Sequence, residues 1–186
     1  MKERAMRALT LLAKAGAEKA SCRLSVSEKR ELNLRSGELT LLRTTFDTRL
    51  GLKAITGDRM GTASTNSLDG SAVEEAAERA VSLARSAEPD LANEIAETQE
   101  PEAFACGPEQ PDLELMHERL AGFIDYVHER YPNTILDQGR LDFTVSRSWF
   151  LNSNGVDWLV RTGHYNFFAV FATKLGPKNS SFNFSG

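Results

Sequence analysis

Residues 49–66 read RLGLKAITGDRMGTASTN. Leu50, Leu52 and Ala54 alternate with Gly51, Lys53 and Ile55, a period of two that predicts a strand over 49–56 with one buried face. Gly57-Asp58 predicts a tight turn and 60–64 a short returning strand. The two glycines do not make a phosphate loop, which needs four residues between the glycines and Lys-Ser/Thr after the second; here three intervene and Thr62 follows. Ser64 and Thr65 lie in no G-x-S-x-G elbow and have no base nearby in sequence, so neither reads as a nucleophile. The stretch is expected to be structural. Gly57 makes the turn with Asp58, Arg59 starts the strand, and Gly61 permits a close backbone approach or a bulge.

Upstream of this hairpin, Ala5, Met6, Leu9, Leu12 and Ala13 recur at helical spacing, and Gly16 is positioned to stop the helix. From Ala20 the pattern alternates: Cys22, Leu24 and Val26, then Leu32 and Leu34. Ser36-Gly37 predicts a turn into a separate strand over 38–45. Downstream, Ser71-Ala72-Val73-Glu74 offers a capping box for a helix with Val73, Ala76, Ala77, Ala80, Val81 and Ala84 on one face, ending near Ala87 before Pro89.

Residues 88–111 are acidic and carry four prolines, which predicts a linker or wrapping segment. A third helix is expected over 112–130, with Leu113, Met116, Leu120, Phe123, Ile124 and Val127 as its apolar stripe. Strand patterns follow over 135–137, 141–151 and 158–173. Asn154-Gly155 predicts a type I′ hairpin, whose two central residues both need positive φ. The expected fold is α+β: a mainly antiparallel sheet with helices on one side, then a second β-rich lobe. The expected division is a helix–meander–helix lobe over 1–88, a linker over 89–111, and a helix-plus-hairpin lobe over 112–186. The absence of a closing helix suggests truncation before a further domain.

At 186 residues the chain can bury a substantial core. A net charge of −4, with basic residues before 60 interleaved with acidic ones, weighs against a nucleic-acid binder. Two cysteines, Cys22 and Cys106, with no Cys/His cluster weigh against structural zinc. The apolar run at 8–13 is too short for a signal peptide, and nothing approaches a membrane span, so a cytoplasmic location is expected. The repeated His-Glu-Arg places His117 and His128 about 16 Å apart along a helix, too far to share a metal. His164 stands alone in a strand-like run. The aromatic residues after Phe143 read mostly as core, with some able to line a groove or an interface.

The stretch from Arg49 through the second helix resembles the N-terminal region of the TldD/PmbA family. The resemblance rests on Gly51, Gly57, Arg59, Gly61, Ala63, Ser64, Thr65 and the helix through Ala80 and Ala84. LNSNGVDW at 151–158, with Asn152, Asn154 and Gly155, is similar to the family's N-S-x-G hairpin. The order of elements fits the family over nearly the whole chain, and the SAEPD after the second helix is closer to the PmbA (TldE) branch.

Members of the family are described as modulators of DNA gyrase and as peptide-maturation proteases. The TldD branch carries zinc on an H-E-x-x-x-H helix and a later Cys, a pattern absent from this sequence, so no metal ligand or catalytic residue carries over. The resemblance implies a non-catalytic portion that recognises unfolded peptide and assembles with a TldD/TldE-type subunit, as a homo- or hetero-oligomer. The zinc would lie outside this sequence. The alternatives are a gyrase-associated or DNA-binding regulator and a purely structural oligomerisation domain.

Overall fold

The computed structural model describes residues 1–185. Three helices and eight strands follow one another: α1 (Lys2–Ala15), β1 (Lys19–Arg35), β2 (Glu38–Thr56), β3 (Arg59–Thr65), α2 (Gly70–Ser86), β4 (Glu102–Cys106), α3 (Leu113–Arg130), β5 (Thr134–Asn152), β6 (Asp157–Leu175), β7 (Lys178–Asn179) and β8 (Asn183–Ser185). The fold is α+β. The sheet runs β3-β2-β1-β5-β6-β4, and β7 and β8 pair with β6. Among the described residues, no helix is long and apolar enough to cross a membrane.

Compactness divides the chain into two units that interleave in sequence. One is Met1–Ser27, Asp47–Cys106 and Ser146–Arg161; the other is Glu28–Phe46, Gly107–Val145 and Thr162–Gly186. The stretch expected as a linker or wrapping segment contains β4 and buries Ile95.

The first unit is built on small residues. α1 ends on Gly16, which is left-handed (φ 105°) and donates to Ala13 O while Ala17 N reaches Leu12 O. Its buried stripe is Ala5, Ala8 and Leu12; Met6 and Ala13, expected on that stripe, face outward. Spacing alone admitted both faces, and close contact with α2 selects the face with the smallest side chains.

The helix α2 buries Val73, Ala76, Ala77, Ala80, Val81 and Ala84, as the sequence predicts. Its start differs from prediction. Asp69 is the N-cap, Ser71 lies exposed inside the first turn, and no capping box forms. The Asp69 carboxylate instead accepts from Ser67 Oγ (2.9 Å), which in turn accepts from Asp69 N (3.1 Å). The helix therefore begins two residues earlier, on Gly70.

The strands β2 and β3 pair as expected, in the register Leu50↔Thr65 to Thr56↔Arg59, around Gly57 (φ 56°) and Asp58 (φ 60°). Leu50, Leu52 and Ala54 enter a core with Ala20, Cys22, Leu24 and the two helices. Ile55, on the opposite parity, is also buried. The two strands expected over 38–45 and 49–56 are one strand of 19 residues. Residues 40–47, which join the two expected ranges, are exposed.

In the second unit α3 starts on Asp112, whose side chain accepts from Leu115 N (2.9 Å), and it buries Met116, Leu120, Ile124 and Val127. A small core of Leu34, Ile124, Val127 and Leu136 lies beneath it. Glu31 is buried in this unit and ion-paired with Arg43 at 2.5 Å.

Candidate functional site

The strand alternation that buries Leu50, Leu52 and Ala54 turns Arg49, Gly51 and Lys53 to the other face of the first unit's sheet. Antiparallel register sets Ser64 opposite Gly51 and Thr62 opposite Lys53, so β3 adds two hydroxyls to that face. Ser21 and Arg23 of β1 and Phe150 of β5 complete an open groove of about 550 Å³. Its lining includes Arg23, Arg49, Lys53 and Arg79, and no Asp or Glu. A second cleft of about 430 Å³ shares Arg49, Ser64 and Arg79 with it and is bordered by Asp47 and Glu75.

The side chains are held unequally. Arg79, from α2, donates to Ser64 O (2.9 Å), and Lys53 donates to Glu94 O (2.9 Å). Arg23 reaches Ser148 Oγ at 3.5 Å, and Ser148 shares a 2.8 Å hydrogen bond with Ser25. The ion pairs of the first unit, Lys2–Asp157, Lys14–Glu74 and Lys19–Glu94, involve none of these four cations. Cys22 borders the groove but is 2% exposed, and burial pushes its thiol up to about 12. It is therefore not a nucleophile in its resting state.

The residues singled out from sequence fall into three groups. Gly51, Ser64 and Thr65 border the clefts, although the Thr65 hydroxyl is engaged by Ser67 N (3.1 Å). Gly57, Arg59 and Gly61 serve the hairpin and its seat on α2. Gly57 N donates to Glu18 Oε2 (3.1 Å), and Arg59 donates to Arg85 O (3.2 Å). A Cβ on Gly61 would stand 2.1 Å from Ala80 O, the close approach expected of that position.

Asn152, Asn154 and Gly155 form the third group. Asn152 is 4% exposed; its Oδ1 accepts from Asn154 N and Val156 N (3.0 Å each), and its Nδ2 donates to Ala96 O (2.7 Å). The turn is not type I′. Only Gly155 has positive φ (95°), while Gly155 N reaches Asn152 O and Asn152 N reaches Val156 O. Three residues therefore span the hairpin, with a glycine bulge at the third. The Asn152 side chain supplies the hydrogen bonds that select this longer loop.

Arg23, Arg49, Lys53 and Arg79 were not among the residues singled out, whereas Phe150 belongs to the aromatic set read mostly as core with some able to line a groove. The parity of Arg49 and Lys53 against Leu50 and Leu52 was visible in the sequence, but their meeting with Arg79 depends on how α2 sits on β3. Among the described residues, no three His, Cys, Asp or Glu side chains are grouped to hold a metal ion.

The first unit thus combines an antiparallel sheet with two alanine-bearing helices and a glycine seat for the second. Residues 20–84 match the family described as PmbA/TldA metallopeptidase domain 1. In fold, 98% of the chain is similar to TldE from Thermococcus kodakarensis, with a TM-score of 0.74, 18% identity and 42% of that chain covered. It is likewise similar to a Bacteroides thetaiotaomicron protein described as a candidate modulator of DNA gyrase (TM-score 0.70, 19% identity, 98% and 44% covered). A Thermotoga maritima protein described in the same way gives 0.60, 16%, 98% and 42%. The chain thus spans less than half the length of these solved structures. No curated protein matches the sequence.

Proposed function

We propose that this chain is the N-terminal, non-catalytic part of a PmbA/TldD-type peptidase subunit, holding unfolded peptide and assembling with a TldD/TldE-type subunit. The observation that supports this reading is an open sheet edge. β3 covers β2 only from Leu50 to Thr56. Over 38–49 β2 has β1 on one side and, among the described residues, no strand on the other. Leu41, Leu42 and Phe46 are 50%, 60% and 77% exposed there. Unpaired amides and carbonyls beside apolar side chains form a template for an added strand, which natural sheets normally shield.

The peptide's backbone would extend the ladder, and side chains at alternate positions would meet the leucines and the phenylalanine. Hydrolysis of a bound peptide would need groups outside this sequence. The test compares a fluorescent unfolded peptide of neutral composition with the same peptide N-methylated at alternate residues. Methylation removes ladder donors and leaves the side chains. Saturable binding of the first and loss of the second are expected. Equal binding of both, or binding of neither, refutes the reading.

A further inference from the structure

The groove of the first unit has a charge that neither the fold nor the open edge of β2 explains. Four cations line it without an acidic residue, in a chain whose net charge is −4. Among the described residues none of the four is in an ion pair, and the Arg49 side chain makes no hydrogen bond. Like charges gathered on one face repel, and neighbouring carboxylates usually relieve that repulsion. Here the nearby carboxylates lie outside the lining: Asp47 and Glu75 border the second cleft, and Glu94, beside Lys53, is paired with Lys19.

We propose that this groove binds an acidic, extended polypeptide segment, with Arg49 and Arg79 receiving its carboxylates. The proposal rests on the peptide reading above only in taking polypeptide as the ligand. The guanidinium fork matches a carboxylate in two parallel hydrogen bonds. Arg79 is steadied by Ser64 O through one nitrogen and keeps further donors for a ligand. Lys53 uses one of its three donors on Glu94 O. The Ser64 and Thr62 hydroxyls, on the same face, can donate to the backbone carbonyls of a chain laid across the strands. Phe150 gives that chain an apolar contact.

Polypeptide is favoured over nucleic acid by the reach of the charge. A nucleic acid carries a charge at every phosphate along its whole length and would meet the acidic remainder of this protein. A short acidic segment places its charge only where the groove is basic. The lining also offers a single aromatic ring, whereas single-strand binders present several for successive bases.

The test uses the full chain and fluorescence anisotropy with three peptides of equal length: Glu-rich, neutral Ser/Gly-rich, and the Glu-rich sequence with every Glu replaced by Gln. The Glu-rich peptide is expected to bind at least about tenfold more tightly than the other two, with an advantage that shrinks as salt rises. Arg49→Glu should abolish that advantage. It serves as the primary variant because, among the described residues, the Arg49 side chain makes no hydrogen bond or ion pair that the substitution would break. Arg79→Lys, which keeps charge without the fork, should reduce the advantage only in part.

Equal affinity for the three peptides, or an Arg49→Glu protein with undiminished preference, overturns the proposal. Oligo-dT bound more tightly than the Glu-rich peptide, and lost in Arg49→Glu, overturns the choice of polypeptide in favour of nucleic acid. The two readings fail separately. Acidic preference without neutral-peptide binding removes the open-edge reading and supports the groove; neutral binding without preference does the reverse.

Discussion

Gly61 offers the sharpest test of how the first unit is held together. A Cβ built there stands 2.1 Å from Ala80 O, 2.3 Å from Ala84 N and 2.9 Å from Leu83 C. All three atoms are backbone of α2, so no rotamer change can relieve the overlap. Restoring ordinary contact at 3.4 Å requires α2 to withdraw by roughly 1.3 Å, the difference between 3.4 and 2.1. A gap of that order forfeits about half of the dispersion well for each atom pair along the helix's buried face. That face comprises Val73, Ala76, Ala77, Ala80, Val81 and Ala84.

The cost of Gly61→Ala should therefore reach the top of the overpacking range, about 3 kcal/mol. In urea, with a slope of about 2–3 kcal/mol/M, the midpoint should fall by about 1–1.5 M. Gly51→Ala is the control. Its nearest neighbour would be Arg23 O at 4.0 Å and its φ is not positive, so a slight gain of about 0.5 kcal/mol is expected from the stiffer unfolded chain. Denaturation followed by circular dichroism decides the matter. A Gly61→Ala midpoint within about 0.2 M of the parent, or a Gly51→Ala loss equal to that of Gly61→Ala, would refute the reasoning.

Three further outcomes follow from single residues. Asn152→Ala strands two amides and leaves Ala96 O with Asn154 Nδ2 as its remaining donor, so it should cost about 2–3 kcal/mol and speed hydrogen exchange at Asn154 and Val156, read by NMR. Burial would raise the Glu31 carboxyl, but hydrogen bonds from Asn33 and Arg43 and the charges of Arg43 and Arg140 overcome it and hold the group below its ordinary value of 4.5. A depressed acid stabilises the fold above its unfolded pKa and loses that contribution as pH falls through the folded value. Glu31→Gln should therefore be less stable than the parent at neutral pH, with the gap closing below pH of about 4, as measured by urea midpoints across pH. Finally, Cys106 is exposed while Cys22 is buried with its thiol at about 12, so a thiol reagent at mild pH should label one cysteine in the native protein and two in denaturant.

The parts of this structure legible in the sequence are those fixed by local periodicity or by single punctuating residues. Gly16, Ser36-Gly37 and Gly57-Asp58 all sit at positive φ where the chain stops or turns. Asp112 caps α3, and the alanine face of α2 is buried as read. The misreadings have a common cause, because each depends on a competitor that is distant or hidden. The capping box at Ser71 lost to an Asp69 already bound by Ser67. The type I′ turn lost to the side chain of Asn152, which holds a longer loop. β4 lay within acidic, proline-bearing sequence, and it exists through its place beside β6. The cationic groove was partly legible. Arg49 and Lys53 show their parity in sequence, but the partnership of Arg79 with Ser64 joins residues whose nearness only the packing of α2 creates.

The long strand β2 also limits how this sequence can change length. Gly51 pairs with Ser64 and Leu52 with Ala63 in strict alternation, so core and groove residues differ by a single step along the chain. One residue inserted between Phe46 and Leu50 that shifted this register would turn Leu50, Leu52 and Ala54 into the groove and send Arg49 and Lys53 toward the helices. A two-residue insertion would preserve the faces. Drift in chain length along β2 should therefore proceed in pairs, or be confined to the turns at Ser36-Gly37 and Gly57-Asp58, where an added residue changes the loop and leaves the two faces intact.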